Sequence, residues 1–298
     1  MIFINLIVAA RHKIKWVLNR VKKKVIENPL SLSFWMHITH NRIFKLIKSQ
    51  FEDIRSHKIL QEIKQYPIPH HLAIIMDGNR RFAKEQGMDT VEGHKLGGEK
   101  LGEVMEWCKE TGIKILTVYA FSTENFQRSQ KETKALMNLF ATNFYKLLSE
   151  KRIHQNKIRI HVFGKLSLLP PNVQHAAQEA MESTKKYDSY FLNLAIGYGG
   201  REEIIHAIKK IAADVKKGEL DIGSINTNIM SSYLYTSDLP DPDFVLRTSG
   251  EERLSNFLLW QLAYSELYFS DVYWPAFKKT DFLRAIRTYQ QRQRRYGG

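Results

Sequence analysis

The run Leu72-Ala73-Ile74-Ile75-Met76 is apolar without a break and carries two β-branched residues. A run with no polar alternation reads as a strand covered on both faces. It ends abruptly in Asp77-Gly78-Asn79, and Arg80-Arg81-Phe82-Ala83-Lys84 then predicts the first turn of a helix. A doubly buried strand followed by a helix points to a parallel sheet sandwiched between helices. Ligands of such sheets sit beyond the carboxyl ends of the strands. There Gly78 allows a close backbone approach, and the start of the helix turns N–H groups toward an anion. Asp77 cannot hold a phosphate directly but can do so through a divalent cation. The same tripeptide also fits a plain turn with an asparagine helix cap.

The pattern recurs down the chain. Strands are predicted at residues 113–121, 158–163, 191–196 and 244–247, with a short sixth at 267–272. Helices are predicted near 95–111, 132–146, 171–184, 201–217 and 280–294. Alternation at these lengths predicts an α/β fold with a mostly parallel central sheet of about six strands flanked by helices. Three strand ends carry polar clusters: Asp77, Asn79 and Arg81; Ser122, Asn125 and Arg128; Arg247, Arg253 and Ser255. Guanidinium forks match phosphate oxygens in bidentate fashion, so together these clusters suit a phosphorylated ligand. Most single arginines, taken alone, read rather as surface ion pairs, and the joint pattern carries the phosphate reading. Asp77 and Glu266 are the acids placed to hold Mg²⁺. The G-x-G-x-x-G and P-loop signatures are absent, which argues against nucleotide binding by those devices.

Residues 1–66 read as a separate basic, amphipathic helical arm, joined through Tyr66-Pro67-Ile68-Pro69 to a domain over 67–298. Residues 1–70 hold 13 Lys and Arg against 4 Asp and Glu, so only +5 of the net charge of +14 belongs to the rest. The apolar stretch of residues 1–10 is too short to cross a bilayer, which takes about 20 residues, and it lacks the basic start of a secretory signal. Trp16 and Phe44 lie beside clustered lysines and arginines. This arrangement predicts peripheral contact with anionic membranes, the alternatives being an arm docked on the domain or on a partner. No nucleic-acid motif accompanies the charge, so nucleic acid is not expected as a partner. The single cysteine, Cys108, excludes an internal disulfide and a cysteine metal cluster and fits a reducing, cytoplasmic location.

The segments H-L-A-I-I-M-D-G-N-R-R-F-A-K, F-S-T-E-N-F-Q-R, G-Y-G-G-R and R-T-S-G-E-E-R-L-S-N-F-L-L-W-Q-L-A-Y-S-E-L-Y-F resemble the cis-prenyltransferases, the undecaprenyl and dehydrodolichyl diphosphate synthase family. The resemblance covers about residues 68–298. It implies a Mg²⁺-dependent transferase that adds isopentenyl diphosphate to an allylic diphosphate primer, farnesyl or geranylgeranyl, and makes a long Z-polyprenyl diphosphate that becomes a lipid glycan carrier. On this sequence it implies Asp77 and Glu266 at the metal. Gly78, Asn79, Arg81 and His94 would surround the allylic diphosphate, with Asn79 near the proton lost in condensation. Ser122, Asn125 and Arg128 would line the reaction centre, and Arg247, Arg253 and Ser255 would grip isopentenyl diphosphate. The ending Arg295-Tyr296-Gly297 resembles an R-x-G signature that reaches into the partner's site, which implies a homodimer. Ala120 is small where short-chain makers narrow their tunnel, so a long product is expected. Tyr190 and Phe191 would lie near the tunnel floor.

Some positions depart from the bacterial pattern. Arg80 stands at a glycine position, and Phe82 and Phe126 at tryptophan positions of the substrate site, as in archaeal or eukaryotic members. Thr90 replaces a diphosphate-binding arginine, for which Arg80 is placed to compensate, and Glu252 replaces a histidine near the metal. The rival reading is a non-catalytic subunit of a heteromeric prenyltransferase. Such subunits lose the Asp-Gly-Asn element, and here Asp77-Gly78-Asn79 coexists with Arg295-Tyr296-Gly297, which favours a self-sufficient enzyme.

Overall fold

The computed structural model describes residues 52–296, with side chains as far as Arg292. The arm's apolar start and most of its amphipathic pattern lie outside the described residues. The described chain forms two compact units: residues 52–66 with Lys279–Arg284, and Pro67–Lys278 with residues 285–296. In the first unit a helix over residues 52–63, α1, buries Ile59, Leu60 and Ile63. There Thr280 Oγ1 donates to Glu52 Oε2 at 3.2 Å.

The second unit is built on six parallel strands: β1 (His71–Ile75), β2 (Ile115–Ser122), β3 (Ile158–Phe163), β4 (Tyr190–Tyr198), β5 (Phe244–Arg247) and β6 (Glu266–Phe269), in the order β3-β4-β2-β1-β5-β6. All five residues of β1 are buried, as an unbroken apolar run requires. His71, its one polar residue, meets Pro240 O and Thr117 Oγ1, each at 2.7 Å, and burial lowers its pKa to about 4. The chain leaves β1 toward β2 on one side and leaves the adjacent β5 toward β6 on the other. The carboxyl ends of β1 and β5 therefore flank a topological switch point, where a crevice must open.

The helices are α2 (Asn79–Glu85), α3 (Thr90–Thr111), α4 (Gln130–Ser149), α5 (Lys151–Gln155), α6 (Pro171–Thr184), α7 (Gly200–Lys217), α8 (Thr227–Ser232) and α9 (Lys279–Tyr296). α3 begins five residues before the expected start because Asp89 caps it, accepting from Val91 N at 2.8 Å. The short α5 and α8 carry too few residues for a helical period and escape a sequence reading. β6 occupies 266–269 rather than 267–272, ending where Ser270 N donates to Arg247 O.

Candidate active site

Asp77 follows β1 directly, and its neighbour across the switch point is the turn after β5. Thr248 fastens the two together, since Asp77 N donates to its Oγ1 at 3.0 Å and the hydroxyl lies 2.7 Å from Asp77 O. Gly78 takes φ +102°, and a Cβ there would lie 2.8 Å from Tyr273 Cδ1 and 2.9 Å from Ser249 Cβ. Only glycine fits that backbone and that gap.

Arg247, with its side chain 4% exposed, is the hub. Its Nη2 donates to Asp77 Oδ2 at 2.7 Å, and its Nη1 donates to Ser255 Oγ at 2.8 Å and to the carbonyl of Arg253. Its Nε is buried without a partner. The loop that supplies Ser255 holds three non-glycine residues in the left-handed region: Ser255 (φ 50°), Asn256 (φ 66°) and Leu258 (φ 44°). Such residues persist only where surrounding bonds impose them. Asn256 supplies several of those bonds, accepting from Gly200 N and Arg201 N and donating to Glu124 and Glu202.

The loops enclose a cavity of about 670 Å³. Asp77, Asn79, His94, Ser122, Asn125 and Arg128 line it from the β1 and β2 side. Arg201, Arg247, Arg253 and Ser255 line it from the other, over an apolar base of Ile75, Ala120 and Leu136. Arg81 Nη2 lies 3.4 Å from Asp77 Oδ2 and its two terminal nitrogens donate to Ser249 and Glu251. Burial pushes the Asp77 carboxyl up, but the Arg247 hydrogen bond and the charges of Arg247 and Arg81 outweigh it and hold the pKa below the ordinary value. Burial pulls the His94 imidazole below its ordinary value. A pocket of this size, with cations on both walls and an apolar base, suits a ligand with an anionic head and an apolar tail.

The family model described as putative undecaprenyl diphosphate synthase matches residues 75–297. The chain belongs to that family. It is a cis-prenyltransferase, an enzyme that transfers prenyl groups. Tritrans,polycis-undecaprenyl-diphosphate synthase (geranylgeranyl-diphosphate specific) of Pyrococcus furiosus is 54% identical over 245 residues, covering 82% of this chain and 93% of that protein. The synthase of the same name from Methanocaldococcus jannaschii is 47% identical over 288 residues, covering 96% of this chain and 98% of that one. The latter likeness takes in most of residues 1–66, so resemblance to known proteins does not begin at residue 68. Among solved structures, lavandulyl diphosphate synthase from Lavandula x intermedia, in complex with dimethylallyl diphosphate, superposes with a TM-score of 0.73 at 36% identity over 77% of this chain and 96% of that one. A probable undecaprenyl diphosphate synthase from Campylobacter jejuni gives 0.63 at 35% identity over 78% and 100%.

In this cis-prenyltransferase most expected site residues meet at one cavity. Gly78 and Arg81 adjoin it through Asp77, and Phe126 packs edge-on against Phe121 at 4.9 Å. Arg80 is exposed and reaches toward Glu132 at 3.6 Å. Phe82, half-buried, lies in the first turn of α2. Thr90 opens α3, and Glu252 is exposed. Glu266 is not brought to Asp77 within one chain. It sits opposite Phe244 at the amino end of the sheet, while Asp77 lies past the carboxyl end, and it pairs with Arg292 at 3.2 Å. The Arg295 side chain and Gly297 lie outside the described residues.

A metal can still be accommodated. No group of three or more metal-binding side chains occurs among the described residues, so no protein cage is preformed there. Asp77 offers a carboxylate 28% exposed at the cavity, whose lining also includes Glu124. That fits Mg²⁺, which keeps waters and binds through one or two carboxylates plus substrate phosphates.

Several residues of the site were not singled out in the sequence. Glu132 gathers Arg80, Arg128 and His94. Glu203, nearly fully buried, accepts from Tyr198, Gln261 and Tyr235 N and anchors the loop beyond Ser255. Both read in sequence as ordinary helix-start acids, and only their burial sets them apart.

Proposed function

We propose that this cis-prenyltransferase condenses isopentenyl diphosphate onto an allylic primer, geranylgeranyl diphosphate, to give a long Z-polyprenyl diphosphate for a lipid glycan carrier. The observation that carries the reading is the convergence of Arg247, Arg253, Ser255 and Arg128 with Asp77 on one cavity at the switch point. The primer follows the printed specificity of the relatives from Pyrococcus and Methanocaldococcus.

Gly78, Asn79, Arg81 and His94 surround the allylic diphosphate, and Arg247, Arg253 and Ser255 hold the isopentenyl diphosphate. Asp77 would hold Mg²⁺, which would supply electrostatic stabilisation of the charge developing on the leaving diphosphate. Arg128 and Arg81 add fixed positive charge to the same end. Breaking the allylic C–O bond releases pyrophosphate, a carbon–carbon bond forms to the isopentenyl unit, and a proton is lost beside Asn79. Asn79 lines the cavity, which supports a role toward substrate, and its Oδ1 is buried against Gly97.

The growing chain follows the apolar face from Ala120 past the paired Val118 and Leu194. Tyr190 and Phe191, at the far end of β2 and β4, would form the tunnel floor, and they line a separate small cavity of about 30 Å³. Glu266, bonded to Arg292 on the helix that carries Arg295, belongs with the C-terminal end, which in a homodimer serves the partner's site. Residues 1–66 form the arm and 67–298 the catalytic domain, and the arm gives a cytoplasmic enzyme peripheral membrane contact. No described helix is long and apolar enough to cross a membrane.

The test is purified protein with radiolabelled isopentenyl diphosphate, Mg²⁺, and farnesyl or geranylgeranyl diphosphate, with products sized by chromatography. Long chains from geranylgeranyl diphosphate support the reading. No condensation with any allylic primer would reject it in favour of a non-catalytic subunit.

A further inference from the structure

Three basic side chains from three segments converge on a single oxygen of Glu132, in the first turn of α4. Oε1 lies 3.2 Å from Arg128 Nη1, 3.3 Å from His94 Nε2 and 3.6 Å from Arg80 Nε. The carboxylate is only 12% exposed, whereas Arg80 is 59% exposed. Ser129 Oγ accepts from Glu132 N at 3.3 Å, which fixes the helix start that carries the acid. Arg128 and His94 both line the large cavity. An acid thus stands against the very groups that would receive an anionic ligand.

The distances separate two kinds of pairing. Arg247 meets Asp77 at 2.7 Å, the length of a full charge-assisted bond. The Glu132 contacts are all 3.2–3.6 Å, longer than such bonds. The first pair is a short two-group bond, whereas in the second set one carboxylate oxygen is shared among three longer contacts. A diphosphate offers several oxygens in the geometry a guanidinium prefers, and would draw Arg80 and Arg128 away from one carboxylate oxygen. The acid stays close by, and its negative charge opposes the bound anion in a half-buried site where screening is weak.

We propose that Glu132 is a positioning residue for release: it competes with bound diphosphate for Arg80, Arg128 and His94 and so speeds the departure of pyrophosphate after each condensation. The inference rests on the reading of the site given above. That chemistry leaves a pyrophosphate in the allylic site at every cycle, so a chain of many units needs many departures. A carboxylate that holds the cations in the empty site lowers the free energy of that state relative to the filled one.

The experiment is calorimetric titration of the full chain with inorganic pyrophosphate and Mg²⁺, beside steady-state kinetics. E132Q keeps the size and removes the charge. It should bind pyrophosphate about tenfold more tightly than the wild type. It should also lower kcat while the KM for isopentenyl diphosphate stays within about twofold. E132D, which keeps the charge, should return the affinity toward that of the wild type, and E132A should move with E132Q. Equal or weaker pyrophosphate binding by E132Q and E132A would show that Glu132 merely holds the helix start, and would overturn the inference. A wild type that neither binds pyrophosphate nor condenses would instead overturn the proposed function.

Discussion

Asp77→Asn tests the centre of the site, because Asp77 both faces the cavity and compensates the charge of Arg247. The amide keeps an oxygen for Gly78 N, which donates to Oδ1 at 2.7 Å, and removes the charge that Arg247 meets at Oδ2. Two unit charges about 4 Å apart near a protein surface interact by about 4 kcal/mol. Neutralising a half-buried carboxylate also recovers its own desolvation cost, which leaves a net loss of about 2 kcal/mol. For a domain of this size that lowers Tm by about 4–8 °C. Activity should fall further, by about 10²-fold, the scale of losing one key electrostatic stabiliser. The pH dependence supplies an internal check. The folded carboxyl titrates below its ordinary value of 3.8, so its stabilisation is full above that value and is lost as pH falls through the folded one. The stability gap between wild type and D77N should therefore be level near neutrality and close below about pH 4. Differential scanning calorimetry across pH, with the condensation assay at saturating Mg²⁺, gives both readouts. A variant that melts with the wild type and turns over normally would refute the reasoning.

Single changes of Arg253 and Ser255 to alanine should raise the KM for isopentenyl diphosphate, each by about 1.5–3 kcal/mol of lost charge-assisted bonding. A rise in KM for the allylic primer alone would mean the two substrate sites are exchanged. Gly97→Ala would place a Cβ 2.4 Å from Asn79 Oδ1; turnover should collapse, with about 1–3 kcal/mol of destabilisation read by urea unfolding. Deleting Arg295 to Gly298 should cut activity strongly while sedimentation matches that of the wild type. Deleting residues 1–51, and so sparing α1 and its bond to Thr280, should leave catalysis in solution intact yet weaken binding to anionic vesicles in a salt-dependent way. Loss of activity without lipid present would place the arm in the catalytic fold.

What could be read directly was whatever depends on short stretches of chain. An unbroken apolar run such as Leu72 to Met76 has one stable use, a strand covered on both faces, and five of the six strands lay within a few residues of their expected ends. The segments around Asp77, Ser122 and Arg247 carried the family because their residues sit in loops set by local turns. Tertiary structure alone decided which side chains share space. Glu266 is expected beside Asp77, yet within one chain the parallel register seats it opposite Phe244, at the other end of the sheet. Glu132 and Glu203 both lie in the first turn of a helix, yet the fold half-buries one among two arginines and a histidine and buries the other beneath Tyr198 and Gln261. Nothing local distinguishes a buried carboxylate from an exposed one. Its partners are tens of residues away, and only strand order and crossovers bring them within a hydrogen bond.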